Sequence, residues 1–515
     1  MNNKISLIEA FNNAADRFPN NKAVVEDQKT YSFLELKQLS DKLAAGLEQK
    51  GIVKGDRIAL YCVNSVQFAI AYMGIVKAGA VVVPINLLQK AEEISFVLSD
   101  AAISGLIYHD AFDSTVEILL QKIKPLVVNF CISDDPSKST AWDQALITLG
   151  STPDVDIAAD DDLVAILYTS GTTGRPKGAM LTHSNLVANT RSVFKAMQWV
   201  PGAEVITLVL PMFHAFAATV GMLTPLTHGC CFLPIPKFEP DNLLKAIQQS
   251  QATVFLAVPS MYNILLNTKA DKTSRFNSIK LCISGGASMP VGVLNSFEEK
   301  FGVAIYEGDG PTECSPVTCV NPIGGVRKVG TVGLPVPNVE MTILDETGVP
   351  LKTGEIGEIA VRGPNVMKGY WHLPEETANS FIGEWFLTGD LGNVDEDGYF
   401  SILDRKKDMV IVNGMNVYPR IIEELLYRFE PILEAAVIGI KDPLHGEIPV
   451  AYVALKKNET ADASSIRRWC REHLASYEVP RKVIFMDELP KNAAGKIVKR
   501  VLSKTGEIER GIQHD

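Results

Sequence analysis

The sequence predicts an α/β protein: a large N-terminal domain of layered α/β subdomains plus a barrel-like β subdomain, hinged to a small α/β C-terminal domain. Three observations carry this prediction. Short apolar runs suited to strands alternate with helix-patterned segments, the sign of sheets covered by helices. Two later runs, 339–344 and 358–362, read as strands of a smaller antiparallel or barrel-like unit between turn-rich segments. A charged cluster at 404–416 then interrupts the pattern and a new βα pattern begins. The boundary falls near Leu403, giving domains 1–403 and 404–515. A chain of 515 residues exceeds one ordinary core, and 46% apolar residues can fill sizeable buried sheets.

Residues 5–50 read as two helices with a short strand or turn at 29–33 between them. Strands follow at 56–61, 80–84 and 102–108, with helices at 65–78 and 92–99. The most hydrophobic stretch, 68–83, contains Lys77 and two glycines and falls short of the roughly 20 residues of a membrane span. It reads as a buried helix ending at Gly79 and feeding a strand. Residues 134–162, with five aspartates from Asp154 to Asp162, read as a solvated approach to a central strand at 163–168. Further strands are expected at 205–210, 254–259 and 280–284. The small domain reads as helix 420–429, strands 435–440 and 450–455, helix 463–474 and strand 482–486.

The stretch 168–183, YTSGTTGRPKGAMLTH, organises the chain. An apolar strand leads into it, and Leu186, Val187, Phe194 and Met197 follow at helical spacing. Three glycines let the backbone turn with its N–H groups inward; four hydroxyls and Lys177 add donors. Such a loop can surround a polyphosphate. It is not the common nucleoside triphosphate motif, which needs Ser or Thr directly after Gly-Lys.

This stretch resembles the phosphate-binding signature of the acyl-adenylate-forming enzymes, the family of acyl-CoA and aryl-CoA synthetases, beetle luciferases and peptide-synthetase adenylation domains. Other segments resemble that family in its order along the chain: PMFH at 211–214, SGGA at 284–287, EGDGPTE at 307–313, TGD at 388–390, the cluster at 404–416, and PKNAAGK at 490–496. The resemblance implies ATP, Mg2+ and coenzyme A as co-substrate. It implies that Thr169, Ser170, Gly171, Thr172, Thr173, Gly174 and Lys177 cradle the phosphates, with Thr312 on the α-phosphate. Glu313, with Thr172, would hold magnesium, Asp390 the ribose hydroxyls, and Arg405 the ribose and phosphate side. His214, Ser284, Gly285, Gly286 and Ala287 would line the acyl side, His214 in a positioning role because a carboxylate is already ionised at neutral pH. Lys407 is the implied hinge, Gly414 lies on the implied coenzyme A route, and Lys496 is the implied lysine of the adenylation step. Many relatives place an adenine-stacking tyrosine where this chain has Asp309, which can instead accept from an exocyclic amine or face solvent. Some have lysine at Asn413.

Composition narrows the partners. A net charge of −11 argues against general nucleic-acid binding but permits a local basic pocket. Eight cysteines and eight histidines lack metal-site spacing, and a reducing cytoplasm fits best. Nothing at the N-terminus reads as a signal peptide. Ala-, Val-, Met- and Phe-rich segments around 213–220, 254–262 and 284–287 favour a hydrophobic acid. The reading is therefore a medium- to long-chain fatty acyl-CoA synthetase. An aryl-CoA or other carboxylate-CoA ligase of the same mechanism and a non-catalytic binding protein are the alternatives, and peripheral membrane contact and a homodimer stay open.

Overall fold

The computed structural model describes residues 5–27, 29–147, 153–169, 175–491 and 495–503. The alternation read from the sequence becomes two large sheets. The first joins Leu163–Thr169, Val81–Pro84, Arg57–Tyr61, Gly105–His109 and Val128–Ile132 in parallel, because helices carry each crossover. Antiparallel Lys177–Thr182 and Gly369–Tyr370 extend its edge. The second runs through parallel Ile305–Asp309, Leu281–Ser284, Val254–Ala257, Val205–Leu208, Cys231–Pro234 and Lys22–Glu26, with antiparallel strands at both ends. One apolar core reaches across both sheets.

The apolar stretch expected as a buried helix is one. Val66–Lys77 is buried along its whole length, its N-terminus capped by Ser65. Gly74 is required there, since a Cβ would come within 2.9 Å of Leu43 Cβ. Lys77 is tolerated because its ammonium meets Asp41 at 2.5 Å and Ser40 Oγ at 2.9 Å. Burial still pulls its pKa down to about 8. Among the described residues no helix is long and apolar enough to cross a membrane.

Three local readings are corrected. Residues 134–162 are not all solvated approach: Pro136–Leu146 is a helix, with Asp135 capping Ser137 and Trp142 and Ala145 buried. Lys22–Glu26 is a strand inside the stretch read as two helices. The second half of the organising stretch is also a strand, Lys177–Thr182, paired antiparallel to Leu163–Thr169 with Thr169 opposite Lys177. Its Gly-Ala composition hid it. Gly178 is what the pairing requires, because a Cβ there would lie 2.6 Å from Ile166 Cγ2.

The barrel-like unit is an antiparallel sheet of Glu340–Leu344, Gly357–Arg362, Trp385–Val394, Phe381–Ile382 and Phe400–Arg405 around its own small core. The last strand pairs through Arg405, two residues past the composition boundary. Beyond it, Val410–Val412, Met415–Val417, Gly446–Leu455, Ile432–Asp442 and Lys482–Phe485 form the sheet of the small domain. The helices Pro419–Tyr427 and Ala463–His473 pack against it.

Candidate active site

The strand ends converge on one cleft. The hairpin of Leu163–Thr169 and Lys177–Thr182 brackets the loop holding Ser170, Gly171, Thr172, Thr173 and Gly174, which lie outside the described residues. Its two flanks, Thr169 and Lys177, are half-buried and opposite in register. The Lys177 ammonium bonds the Glu376 carboxylate and stands 5.3 Å from the Tyr370 ring centre.

His214 sits on the turn after Val205–Leu208. Asn64, remote in sequence, fixes that turn: its Nδ2 donates to the carbonyls of Leu208, Leu210 and Ile235 at 3.0, 2.9 and 3.1 Å, and its Oδ1 accepts from Met212 N–H at 2.8 Å. No local pattern marks Asn64, and the sequence reading missed it. His214 Nδ1 accepts from Phe216 N–H at 3.4 Å, which leaves the ring proton on Nε2. Burial, aided by the charge of Lys496, pushes its pKa down to about 4, so the imidazole is neutral at physiological pH.

Two adjoining cavities share His214, Phe216 and Gly286. One, with about 370 Å³ of open space, is closed by Leu210, Pro211, Val258 and Lys496. The other, with about 480 Å³ of space that includes open solvent, is lined by apolar Met197, Val220, Ile283 and Val317 together with polar Asp309 and Thr312. Ser284, Gly285 and Gly286 line it; Ala287 does not. Gly285 lets the wall close, since a Cβ would stand 3.3 Å from the Phe216 ring. Residues 213–220, 254–262 and 284–287 were expected in the lining; 254–262 contributes Val258 to the smaller cavity and nothing to the larger, whereas Met197 and 316–320 were not expected. The segment 316–320 reaches the wall through tight glycine contacts: a Cβ on Gly310 would lie 1.8 Å from Pro316 O, and one on Gly308 2.9 Å from Cys319 O.

Charge gathers around Asp309. Asp390 is buried on Trp385–Val394, and its Oδ1 accepts from Arg405 Nε at 2.8 Å on the neighbouring strand. Burial raises the Asp390 pKa against the pull of Arg405, Lys496 and Arg420. Asp309 lies within reach of the same charges. Burial and repulsion by Asp390 raise it to about 6, against the pull of Arg405 and Lys496. It faces this cluster, not open solvent. Lys496 arrives from the small domain next to Gly495, whose carbonyl accepts from Ser260 Oγ at 3.1 Å. Its side chain keeps contact with solvent at the cleft mouth, yet protein crowds the ammonium. That desolvation and Arg405 lower its pKa, opposed by Asp390 and Asp309. Glu313 accepts from the Tyr370 hydroxyl at 2.8 Å.

Two expected residues stay outside this cluster. Lys407 is exposed on the turn between the two domains' sheets. Gly414 is exposed at the tip of the hairpin Val410–Val412/Met415–Val417, where Asn413 at φ 51° and Gly414 at φ 81° make the left-handed pair a two-residue hairpin favours.

A lysine and an arginine held among buried carboxylates, the lysine also lining an apolar cavity, suit an enzyme that handles a polyphosphate beside a hydrophobic group. The chain belongs to the AMP-binding enzyme family: the family model for the AMP-binding enzyme matches residues 11–371, and that for its C-terminal domain matches 421–496. It is 38% identical to a long-chain-fatty-acid–CoA ligase of Bacillus subtilis, over 96% of this chain and 94% of that one. It is 34% identical to a feruloyl-CoA synthase of Amycolatopsis, over 96% of each. Among solved structures it is similar to ATP-bound MatB from Rhodopseudomonas palustris, with a TM-score of 0.89, 34% identity and coverage of 97% and 99%. The apo form of the same protein gives 0.78 at 33% identity, with the same coverage. Sequence cannot account for that gap, so the arrangement of this chain is nearer the nucleotide-bound one.

Proposed function

We propose that this protein is an AMP-forming acyl-CoA ligase that activates a medium- to long-chain fatty acid with ATP and passes the acyl group to coenzyme A. One juxtaposition carries the reading. Lys496, from the second domain, stands beside His214 and Gly286 on the apolar side and within charge reach of Asp390, Asp309 and Arg405 on the polar side. A carboxylate whose tail fills the apolar cavity would present its oxygens there, with the neutral His214 as a donor. Attack on the α-phosphorus of ATP expels pyrophosphate and leaves acyl-AMP. Lys496, with Thr312 and the loop ending at Lys177, would answer the charge that builds on the phosphate oxygens. Asp390 would accept from the ribose hydroxyls while Arg405 keeps it oriented.

The residues fit a substrate-borne magnesium ion. Among the described residues no cluster of three or more acidic, His or Cys side chains could hold a metal alone. Glu313 offers a single oriented carboxylate, and magnesium is commonly held by one or two carboxylates plus substrate phosphates. When bound, the ion would offset phosphate charge and ease pyrophosphate departure. Thr172, the other expected ligand, lies outside the described residues. For the second step the small domain would turn about Lys407, withdrawing Lys496 and bringing the Gly414 hairpin to the route of the coenzyme A thiol. The thiol sulfur then attacks the acyl carbon and AMP leaves.

Among the described residues no lysine or arginine lines the larger cavity, which supports a hydrocarbon tail over a second carboxylate. Each added methylene contributes about 0.8 kcal/mol, so kcat/KM is expected to rise about fourfold per methylene until the cavity is full. AMP release across saturated acids and benzoate-like acids, with coenzyme A, checks this. A flat profile contradicts the fatty-acid reading. An optimum at a ring acid selects an aryl-CoA ligase, the second reading, favoured by the similarity to a feruloyl-CoA synthase.

The position of Asp309 gives a pH signature. With its pKa raised to about 6, Asp309 becomes negative as pH climbs from about 5 to 7 and then opposes the ATP phosphates. ATP affinity of the unmodified protein is expected to fall roughly threefold to fivefold over that range, the size of one charge acting through water-like screening. Asp309→Asn should remove that part of the fall. Parallel pH profiles of the ATP KM in the two proteins would contradict the assignment.

A further inference from the structure

The segment 365–377 ties together both halves of the phosphate-facing apparatus. Met367 N–H donates to the Glu313 carbonyl at 2.7 Å, and Asn365 Nδ2 to the Cys314 carbonyl at 2.8 Å. In the other direction, Lys368 N–H donates to the Met180 carbonyl at 3.0 Å and Trp371 N–H to the Gly178 carbonyl at 2.8 Å. One stretch of backbone thus closes onto the turn of Glu313 and onto the strand that begins with Lys177.

The side chain of Tyr370 repeats that bridge. Its hydroxyl donates to Glu313 Oε1 at 2.8 Å, and its ring centre lies 5.3 Å from the Lys177 ammonium. A cation over the face and an anion at the hydroxyl suit the charge distribution of a phenol. The ring is held in place: Tyr370 is 9% exposed, and its N–H donates to Thr377 Oγ1 at 2.9 Å. Thr377 in turn packs so closely on Gly369, at φ 138°, that a Cβ there would lie 2.7 Å from its methyl. A tyrosine buried only to fill space needs any acceptor for its hydroxyl; a backbone carbonyl would serve. This one meets the carboxylate and the lysine that the proposed function assigns to magnesium and phosphate.

We propose that Tyr370 is a positioning residue that sets Lys177 through its ring and Glu313 through its hydroxyl, so that phosphate and metal meet a preformed pair. The proposal rests on the functional reading of Lys177 and Glu313 given above. Two variants separate the contacts: Tyr370→Phe keeps the ring and loses the hydroxyl, whereas Tyr370→Leu loses both. Calorimetric titration of the full-length protein with MgATP and with metal-free ATP, in the absence of acid, reads them without turnover. Tyr370→Phe is expected to weaken MgATP binding about tenfold, the lower end for loss of a partner behind a metal ligand. Metal-free ATP should bind it as it binds the unmodified protein, and its Tm should be unchanged. Tyr370→Leu should also weaken metal-free ATP roughly twofold to fivefold, the size of an exposed cation–π contact. Equal weakening of both ligands by Tyr370→Phe, or wild-type MgATP binding in that variant, overturns the proposal. Glu313→Ala and Lys177→Ala serve as references. If they bind MgATP like the unmodified protein, the functional reading of these two residues fails. If they bind it weakly while Tyr370→Phe does not, only the positioning role fails.

Discussion

Lys496→Ala is expected to slow formation of acyl-AMP from acid and ATP by roughly a hundredfold to a thousandfold, the range seen when one preorganised donor to transition-state charge is removed. The same variant, given preformed acyl-AMP and coenzyme A, should form thioester at close to the unmodified rate. The asymmetry follows from where charge builds. In the first step negative charge grows on the oxygens around a five-coordinate phosphorus, and an ammonium is a compact charge with three donors suited to both phosphate and carboxylate. In the second step the thiol attacks carbon, and on the proposed mechanism the domain carrying Lys496 would by then have turned away. The cleft holds Lys496 beside Arg405, whose repulsion and the surrounding desolvation lower its pKa, so its charge is held at a cost in the resting site. An arriving polyphosphate relieves that repulsion. Pre-steady-state measurement of the two half-reactions separates the steps. Equal loss in both would assign Lys496 to the integrity of the domain contact. Equal retention would mean that the adenylation lysine lies elsewhere.

Asp390→Ala is expected to raise the ATP KM by roughly tenfold to a hundredfold, with a much smaller effect on the KM for the acid. A hydrogen bond to a charged group is worth about 1.5–3 kcal/mol. The variant would lose the proposed ribose contacts and also the 2.8 Å bond that orients Arg405. Asp390→Asn keeps the shape and should lose less. Initial rates at varied ATP and fixed acid measure this, alongside Tm to show that the strand pairing of 385–394 with 400–405 survives. An ATP KM unchanged in Asp390→Ala would remove the ribose assignment.

Much of this was legible in the sequence because the motifs are local. The Gly, Thr and Lys run at 169–178, the Pro-Thr-Glu turn and Gly495-Lys496 each announce a turn with donors, and apolar alternation announced the strands. Contacts made across the chain were not legible. Asn64 reaches the His214 turn from a distant element, Met197 enters the cavity wall from the end of the helix His183–Ala196, and 316–320 reach it because glycines at 308 and 310 allow backbone to approach. The Lys177–Thr182 strand was obscured for the same reason: its pairing depends on a glycine lying against Ile166, which no propensity encodes. Nothing local marks Tyr370 either, because what distinguishes it is the two charged side chains it touches across the chain. Asp309 was read as an isolated departure, whereas the fold places it among Arg405, Asp390 and Lys496.

The central claim is that a fatty carboxylate attacks the α-phosphorus of ATP. The most direct measurement uses a saturated fatty acid whose carboxylate carries heavy oxygen, turned over with MgATP and coenzyme A, followed by mass analysis of the nucleotide and phosphate products. One labelled oxygen is expected in the phosphate of AMP, none in pyrophosphate, and acyl-CoA formed in equal amount. Label in inorganic phosphate with ADP as the nucleotide product, or AMP formed without label, would contradict it.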